Sequence, residues 1–526
     1  MIQAVHTEGS VVNMSNTVII PTAGTGSRMG RYTTHLNKSL LPYCGKPVLG
    51  HIIDSFPEDT RFVIPVGYLA DQVKDFCFLT YPDRNIEFVN IADYTSSASG
   101  AGRTFEQCKD SINGPFWYIT CDTYFNENIL NKIGNNDCCF TKIVPEDESY
   151  LYTMFEVDNT NKISNITFKK TQPTTWMAFT GVMYIHHWER FFNNLKLINS
   201  AEFIYSISLG SDVALLETWQ DFGCPVSYHS AVTKSLAFDF SKEDEITYIC
   251  NNKVIKWWVD PTVAKKKYTK TLSNPEVFPK NCQYRGNYMS YDFFPGKTLY
   301  EHNDAGSINN LLSWLHSNVW VKNDKDICAE SSAFYKDKTL NRINQFLKKN
   351  TLLPDIKSIN GVEVNDYSYY LETINWELLS NDNLTGFIHG DLQFDNIIVN
   401  DNNEFKIIDW RHEFGGLVEY GDIYYDLAKM SGGLVINYAR IKNHQFAIQI
   451  DGNAVTLDIP NIDDISKYQQ EIKNYIDKHN LNYKKVQQLV PIIFWNMSPL
   501  HFEPFDMFLW YLGIKLFQEI ENENVH

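Results

Sequence analysis

Residues 387–396 read FIHGDLQFDN, and after a short turn residues 405–410 read FKIIDW. Asp391 is followed by Asn396, and the next apolar run ends in a second acid, Asp409. Phosphoryl transfer to a hydroxyl uses this order, because one Asp orients the hydroxyl and takes its proton while an Asn and a second Asp hold Mg²⁺ on the triphosphate. The pattern therefore predicts Asp391 as the catalytic residue and Asn396 and Asp409 as metal ligands.

These two motifs resemble those of the aminoglycoside and choline kinase families, which carry His-Gly-Asp-x-x-x-x-Asn and Ile-Asp-Trp in place of the protein-kinase motifs. The resemblance implies a bilobal, protein-kinase-like α+β domain that phosphorylates a small alcohol or sugar with ATP and Mg²⁺. The segment GDIYYDLA, residues 421–428, also matches these families. We interpret Asp422 and Asp426 in it mainly as structural supports of the catalytic loop.

Lys256, in KVIKW, resembles the strand lysine of these kinases that binds the α and β phosphates of ATP. An exposed strand lysine without such a role is the alternative. No glycine-rich nucleotide loop precedes Lys256, and residues 265–275 contain no acid that could pair with it. The aromatic-rich tail at residues 494–511 is interpreted as core, the alternative being a cation–π box for a choline-like head group.

The first half opens on a candidate strand, residues 18–21, followed by the glycine-rich stretch TAGTGSRMG, residues 22–30. Glycines let a backbone turn tightly and present N–H groups to a polyphosphate, while an arginine adds charge-assisted hydrogen bonds. This predicts phosphate binding, with an ordinary tight turn as the alternative. The stretch is neither a P-loop nor the GxGxxG dinucleotide motif.

Two further stretches, NKSLLP at residues 37–42 and GKPVL at residues 45–49, follow this loop. Together the motifs resemble the nucleotidyltransferases that activate sugar phosphates or phosphocholine, although Asn37 stands where that family has Pro. The resemblance covers about residues 17–230 and implies a Rossmann-like mixed α/β sheet that binds an NTP. It assigns these residues: nucleotide binding to Ala23, Gly24 and Gly26, and catalysis to Arg28 and Lys38.

Later residues extend this resemblance. Asp122 follows the apolar strand candidate 116–120 and resembles the family's Mg²⁺-binding aspartate; a strand-end cap is the alternative. Asp221, in WQDFGCP, resembles the second metal ligand, with Asp239 as a rival. Lys170 is assigned to the acceptor phosphate. The Ser/Gly-rich stretch 96–102 is either a second loop near the base and acceptor or a flexible linker.

Length and charge limit the function classes. A chain of 526 residues exceeds one ordinary core, so at least two folding units are expected: a flexible tail at 1–16, a nucleotidyltransferase domain at 17–232 and a kinase-like domain at 233–526. A net charge of −17 argues against a nucleic-acid partner. No secretory signal or membrane-spanning stretch is recognised, and scattered cysteines without metal-ligand spacing favour reduced, cytoplasmic thiols. The oligomeric state stays open.

The expected function combines both halves. The C-terminal domain would phosphorylate a small alcohol or sugar, and the N-terminal domain would transfer an NMP unit from an NTP, with CTP favoured, to that phosphate. Mg²⁺ would serve both domains. One alternative is a monofunctional nucleotidyltransferase with a kinase-like regulatory or binding module. The other is a small-molecule kinase of the antibiotic-modifying kind with an inert N-terminal domain.

Overall fold

The computed structural model describes residues 17–95, 100–196, 206, 209–235, 244–301, 307–437, 440–441, 443, 445–459 and 465–525. The chain forms two compact units: unit 1 comprises residues 1–261 and 285–290, and unit 2 comprises residues 262–284 and 291–526. The expectations for the tail at 1–16, for Ser96–Ser99 and for Asp239 lie outside the described residues.

Unit 1 is built on a mixed β-sheet flanked by helices, as the sequence predicted. Its strands are β1 (Thr17–Ile19), β2 (Pro42–Tyr43), β3 (Lys46–Pro47), β4 (Arg61–Val66), β5 (Asn85–Asn90), β6 (Phe116–Ile119), β7 (Thr123–Tyr124), β8 (Cys138–Lys142), β9 (Thr153–Val157), β10 (Ile163–Phe168), β11 (Met177–Ile185), β12 (Asp212–Leu215), β13 (Gln220–Asp221), β14 (Glu245–Cys250) and β15 (Lys253–Trp258). Its helices are α1 (Val48–Asp54), α2 (Ala70–Thr80), α3 (Ala101–Cys108), α4 (Trp188–Leu195) and α5 (Pro225–Lys234).

The main sheet runs in the order β10-β9-β11-β6-β1-β4-β5, and β8 pairs with both β11 and β12. Strands β6, β1, β4 and β5 are parallel neighbours, whereas β11 is antiparallel to β6, β8 and β9. The apolar runs of β1, β4 and β6 are almost wholly buried, as expected for strands covered on both faces. Because β1 and β6 are parallel and pair Ile19 with Tyr118, the glycine-rich loop and Asp122 emerge at the same sheet edge.

The hairpin of β14 and β15 belongs to unit 1, because its buried side chains share the main core there. Tyr248 and Trp257, for example, lie in the same hydrophobic cluster as Phe76 and Tyr81. The division between compact units therefore comes after residue 261, whereas the predicted functional boundary at 232–233 falls within the last turn of α5. That functional boundary stays a prediction.

Unit 2 is mostly helical, with several two- to five-residue strands. The remaining strands of the chain are β16 (Gln283–Arg285), β17 (Tyr288–Asp292), β18 (Lys297–Thr298), β19 (Ser358–Ile359), β20 (Val362–Glu363), β21 (Thr385–Gly386), β22 (Ile397–Val399), β23 (Phe405–Ile407), β24 (Gly421–Asp422), β25 (Ala447–Asp451) and β26 (Ala454–Asp458). The remaining helices are α6 (Pro261–Ser273), α7 (Ser307–Trp314), α8 (Cys328–Ser332), α9 (Lys338–Lys349), α10 (Tyr367–Thr373), α11 (Trp376–Asn381), α12 (Ile423–Val435), α13 (Ile465–Lys478), α14 (Tyr483–Met497) and α15 (Phe505–Val525).

The aromatic tail forms core, as the sequence interpretation favoured. Six of its seven aromatic side chains are at most 2% exposed, and Phe502, at 50%, is the exception. Trp510 stacks on Phe346 at 4.3 Å and on Trp495 at 5.6 Å, so these rings pack against one another as core. Within the described residues, no helix combines the length and the apolar character needed to cross a membrane.

Candidate active sites

A cavity of about 380 Å³ opens in unit 1 beside the residues that follow β1 and β6. The sequence-predicted residues that line it are Ala23, Gly24, Gly26, Arg28, Lys38 and Asp122. The fold thus brings together two cations, a carboxylate and a glycine-rich backbone. This is the chemistry that a nucleoside triphosphate and its metal ion require.

The glycine-rich loop depends on glycine at one position in particular. Gly26 has φ +64°, and a Cβ there would lie 3.1 Å from Thr33 Cγ2 and 3.3 Å from Lys38 Cβ. Its carbonyl accepts hydrogen bonds from the backbone N–H of Met29 (2.8 Å) and the hydroxyl of Thr33 (3.1 Å). A side chain would therefore be strained by both conformation and contact, which explains the glycine.

Lys38 reaches the carboxylate of Asp122 across the cavity, with Nζ 2.5 Å from Oδ2. Burial raises the pKa of Asp122, but the Lys38 ammonium outweighs that effect, and the net pKa lies below the usual value. Asn37 holds Lys38 in place, because its side-chain amide donates to the carbonyls of Thr22 (3.0 Å) and Tyr68 (2.7 Å). Asn37, which departs from the family motif, thus acts as a buried brace: its hydrogen bonds fix the position of the neighbouring Lys38.

Asp221 lies beside Asp122, since β13 pairs antiparallel with β7 and the Phe222 N–H donates to the Asp122 carbonyl at 2.8 Å. Burial, followed by the neighbouring Asp122 charge, raises the pKa of Asp221 to about 6. Two close carboxylates repel each other until a cation is placed between them. Within the described residues there is no cluster of three or more His, Cys, Asp or Glu suited to a metal ion. Mg²⁺ nevertheless commonly takes one or two carboxylates plus substrate phosphates, so this pair fits it.

Within the described part of the chain, two predicted residues of this site do not line the cavity: Asp221, which lies beside Asp122, and Lys170. Lys170 is exposed in the segment after β10. Arg103 and Tyr94 line the cavity and were missed, because no motif marks them. Gly100 and Ala101, from the stretch 96–102, also line it, which favours the site-loop alternative over the linker.

The second site lies in unit 2, around the loop that joins β21 to β22. Asn396 directly precedes β22 and Asp409 follows β23, and these strands pair antiparallel. The Ile408 N–H donates to the Asn396 carbonyl (2.9 Å), and the Asn396 amide donates to the Asp391 carbonyl (2.8 Å). The hairpin therefore brings the three predicted residues together, and an amide plus a carboxylate fits Mg²⁺ bound to a triphosphate.

Asp426, which is fully buried, anchors the backbone of the catalytic loop. Its carboxylate accepts the N–H groups of His389 (2.8 Å) and Gly390 (2.7 Å), and the indole N–H of Trp320 (3.1 Å). Burial is the main reason that the pKa of Asp426 is raised, to about 6. This geometry supports the interpretation of Asp426 as a structural support.

His389 connects the loop to the metal-binding hairpin. Its Nδ1 accepts the Asp391 N–H (3.1 Å), so Nε2 carries the proton and donates to the Ile408 carbonyl (2.7 Å). Burial lowers the pKa of His389 to about 4, and the ring is therefore neutral near pH 7. Asp422 forms a fully buried ion pair with Lys485, at a distance of 2.6 Å.

Lysines around this loop were not foreseen from the sequence. Lys429 of α12 lies 2.8 Å from Asp391 Oδ1. Burial raises the pKa of Asp391, but Lys429 and then Arg411 outweigh it, and the net pKa lies far below the usual range. From α6, Lys267 donates to the Trp410 carbonyl (2.5 Å) and Lys270 to the Arg411 carbonyl (3.1 Å). Since these contacts join residues far apart in the chain, no local motif reveals them.

Lys256 is buried in unit 1, and its Nζ lies 2.9 Å from Glu245 Oε1 on the paired strand β14. Residues 265–275 contain no acid, and the partner of Lys256 is instead Glu245, on the preceding strand. The exposed-lysine alternative is wrong, because Lys256 is only 6% exposed. Its role in ATP binding stays a prediction.

Two regions of the chain are similar in sequence to known proteins. Residues 359–450 match the phosphotransferase enzyme family. The N-terminal region matches bifunctional protein GlmU of Methanococcus vannielii, with 25% identity over 164 residues that cover 31% of this chain and 37% of that protein. GlmU of Methanocaldococcus jannaschii matches with 25% identity over 166 residues, 31% of this chain and 38% of that protein. The chain thus spans well under half the length of these curated relatives.

Two solved structures also match. UDP-glucose pyrophosphorylase in complex with UDP-glucose shares 15% identity, covers 41% of this chain and 97% of its own, and has a TM-score of 0.36. HddC from Yersinia pseudotuberculosis shares 17% identity, covers 41% and 98%, and has a TM-score of 0.34. In sequence, the N-terminal region of the chain is thus similar to the GlmU proteins, and residues 359–450 are similar to the phosphotransferase enzyme family.

Proposed function

We propose that the chain is a bifunctional enzyme that activates a small alcohol or sugar in two steps. The C-terminal domain phosphorylates the compound with ATP, and the N-terminal domain transfers an NMP unit from an NTP to the new phosphate, releasing pyrophosphate. One observation carries this proposal: two separately built sites, one around Lys38 and Asp122 and one around Asp391 and Asn396, lie in different units of one chain.

In the kinase step, the acceptor hydroxyl donates its proton to the Asp391 carboxylate as its oxygen bonds to the γ-phosphorus of ATP. The bond from that phosphorus to the β–γ bridging oxygen breaks, and ADP leaves. The Lys429 ammonium keeps Asp391 ionised and oriented. Asn396 and Asp409 would hold Mg²⁺, which when bound screens the charge of the triphosphate.

In the nucleotidyl step, an oxygen of the acceptor phosphate bonds to the α-phosphorus of the NTP, and the bond to the bridging oxygen of pyrophosphate breaks. The N–H groups around Ala23, Gly24 and Gly26 bind the triphosphate, and Arg28 and Lys38 neutralise the charge on the departing pyrophosphate. Asp122 and Asp221 would hold Mg²⁺, which supplies Lewis-acid polarisation when bound. Lys38, now paired with Asp122, exchanges partners as phosphate enters.

Finer points of the proposal follow from the family resemblance. CTP is our favoured nucleotide, and Lys170 and Lys256 are assigned to the acceptor phosphate and to ATP. The product would be an NDP-activated precursor for surface polysaccharide, such as capsule, or for lipid decoration. The reaction would take place in the cytoplasm, where the nucleotides are made.

A coupled assay tests the proposal. The full chain is supplied with ATP, CTP, UTP or GTP and a panel of polyols, amino alcohols and sugars, and the release of ADP and pyrophosphate is followed separately. Pyrophosphate release should depend on prior ADP release. Pyrophosphate release that needs no kinase product would refute the tandem order, and the absence of ATP-dependent phosphorylation would favour the monofunctional nucleotidyltransferase.

Paired variants test whether the sites are independent. Asp391→Asn should abolish ADP release only, and Asp122→Asn should abolish nucleotidyl transfer to an added sugar phosphate only. Asp401→Asn and Asp110→Asn, at exposed positions in the same units, are the matched controls and should change neither activity. Loss of both activities from one active-site change would contradict two independent sites.

A further inference from the structure

The surroundings of Asp391 carry more positive charge than phosphoryl transfer by one carboxylate requires. Lys429 is buried and lies 2.8 Å from Asp391 Oδ1. Arg411 follows the metal-binding hairpin, and its Nε donates to the Gly390 carbonyl at 3.1 Å. A Cβ on Gly390, where φ is +82°, would lie only 2.7 Å from Arg411 Cβ, so this arginine packs directly against the catalytic loop.

Helix α9 adds a third cation to the same place. Lys338 Nζ lies 3.5 Å from the ring centroid of Phe334, and Arg411 Cζ lies 5.3 Å from that same centroid. Lys338 also lies 5.8 Å from the ring centroid of Tyr425 in α12. The ring faces of Phe334 and Tyr425 thus hold the cations beside the loop without neutralising them.

The four cations interact with one another. The pKa of Lys338 lies well below its usual value because of burial first and then the nearby charges of Arg411, Lys429 and Arg342, while Asp391 acts in the opposite direction. Burial and Arg411 also lower the pKa of Arg342. Lys338 and Arg342 lie one helical turn apart on α9, so both face this cluster.

These charges are not balanced by acids. Across the residues that the structure describes, no Asp or Glu forms an ion pair within 4 Å with the charged nitrogens of Lys338, Arg342 or Arg411, and Asp391 beside the cluster is paired with Lys429. Glu413, two residues after Arg411, pairs with Lys266 instead. Partly buried like charges disfavour the folded state unless something compensates them, so the cluster is arranged for an anion.

We propose that the phosphoryl acceptor is an anionic alcohol, a hydroxyl compound with a carboxylate or phosphate group that Lys338, Arg342 and Arg411 bind while its hydroxyl meets Asp391. This inference rests on the proposed kinase function and names the substrate class of that site. The same cluster repels amino alcohols and quaternary amines such as choline, which bear the opposite charge. The negative group of the acceptor compensates the cluster, and Asp391 stays available to the hydroxyl.

A charge-matched acceptor panel tests the proposal on the full chain with ATP and Mg²⁺. The neutral, carboxylate and phosphate forms of one skeleton are compared, namely glycerol, glycerate and glycerol 3-phosphate, and glucose, glucuronate and glucose 6-phosphate; choline and ethanolamine represent cations. We expect kcat/KM, from ADP release, to be at least about tenfold higher for an anionic member than for its neutral partner, since one charge-assisted contact is worth that factor. The carboxylate and phosphate arms identify which anion is preferred.

Variants separate acceptor binding from ATP binding. Lys338→Gln and Arg342→Gln should each raise the KM of the anionic acceptor about tenfold and leave the KM of ATP within about twofold. Lys338→Arg keeps the charge and should restore the acceptor KM. Lys348→Gln, at an exposed position of the same helix, is the matched control and should behave as the unmodified chain. Circular dichroism and the melting temperature identify any variant that fails to fold. If one Gln variant fails to fold, the other is compared with Lys348→Gln and with the unmodified chain.

Three outcomes overturn the proposal. If neutral or cationic acceptors equal their anionic partners in kcat/KM, the substrate class is wrong while the kinase function stands. If the variants raise only the KM of ATP, the cations bind the triphosphate. If no compound of the panel increases ADP release, the kinase half of the proposed function fails, and the acceptor proposal fails with it.

Discussion

Replacing Asp426 with Asn should disable the kinase site without touching the nucleotidyltransferase site. In the structure Asp426 Oδ1 accepts the Gly390 N–H, and Oδ2 accepts the His389 and Trp320 N–H groups. An amide keeps one oxygen and presents an NH₂ group where the other stood. At least one N–H then faces another donor inside a fully buried site.

The size of the effect follows from these contacts. A hydrogen bond to a charged group contributes about 1.5–3 kcal/mol, and a buried unsatisfied donor costs about 1–3 kcal/mol. Because the affected N–H groups belong to the two residues before Asp391, their displacement moves the catalytic carboxylate, and a shift of about 1 Å can cost about 100-fold in rate. We expect the kcat for ADP release to fall about 100-fold for Asp426→Asn.

Trp320→Phe provides the graded comparison. It removes one 3.1 Å bond and leaves both backbone donors with the carboxylate, so a loss of about 1 kcal/mol, roughly fivefold in kcat, is expected. Both variants are assayed for ADP release and, separately, for pyrophosphate release with an added sugar phosphate, which should not change. The reasoning is refuted if Asp426→Asn stays within threefold of the unmodified chain, or if Trp320→Phe is the more damaging change.

Three further predictions concern single side chains. Lys38→Met should lower nucleotidyl transfer at least about 100-fold through loss of phosphate neutralisation, with Lys74→Met as control; equal losses in the two variants would contradict this role. Gly26→Ala should add about 1–2 kcal/mol of backbone strain and raise the KM of the NTP. Gly134→Ala, whose Cβ would meet no atom within 4 Å, should leave that KM unchanged. An unchanged KM in Gly26→Ala would oppose the strain argument. The pKa of His389 is lowered to about 4 from an ordinary 6.5, so the unfolded chain takes up this proton first, and stability is lost as the pH falls from about 6.5 to about 4. The melting temperature of His389→Gln should therefore depend less steeply on pH over this range. An identical pH dependence in the variant and the unmodified chain would refute the assignment.

The strands and loops of both sites could be predicted because their signals are local. The expected strand 18–21 overlaps β1 (Thr17–Ile19), and the expected strand 116–120 is observed as β6, which ends one residue earlier at Ile119. The spacing of Asp391, Asn396 and Asp409 is a property of one loop and one hairpin, which local sequence specifies. Hairpin strands and glycine conformations likewise depend on neighbours in the chain.

The charges around these loops could not be predicted, because they come from elements distant in sequence. Lys338 and Lys429 belong to two helices and Arg411 to the loop after β23, and only the packing of unit 2 brings them to one place. Glu245 could not be predicted as the partner of Lys256 from residues 265–275, because it precedes Lys256 and lies on the strand that pairs with it. A motif describes residues at a fixed spacing along the chain, so it cannot predict side-chain contacts between elements that are distant in sequence.

The brace at Asn37 has a consequence for how this chain can change. The motif that it resembles has proline there, but proline offers neither the amide that binds the Thr22 and Tyr68 carbonyls nor the backbone N–H that donates to Gln72 Oε1 at 3.1 Å. The Asn37 Oδ1 also accepts the Ser39 N–H (3.0 Å) and the Ser39 hydroxyl (2.8 Å), so the family residue would remove five hydrogen bonds from a buried position at once. Since the Thr22 and Tyr68 acceptors are backbone carbonyls, no side-chain replacement at those two positions would remove the need for a donor at residue 37. The surroundings of residue 37 therefore favour asparagine over the proline of the motif.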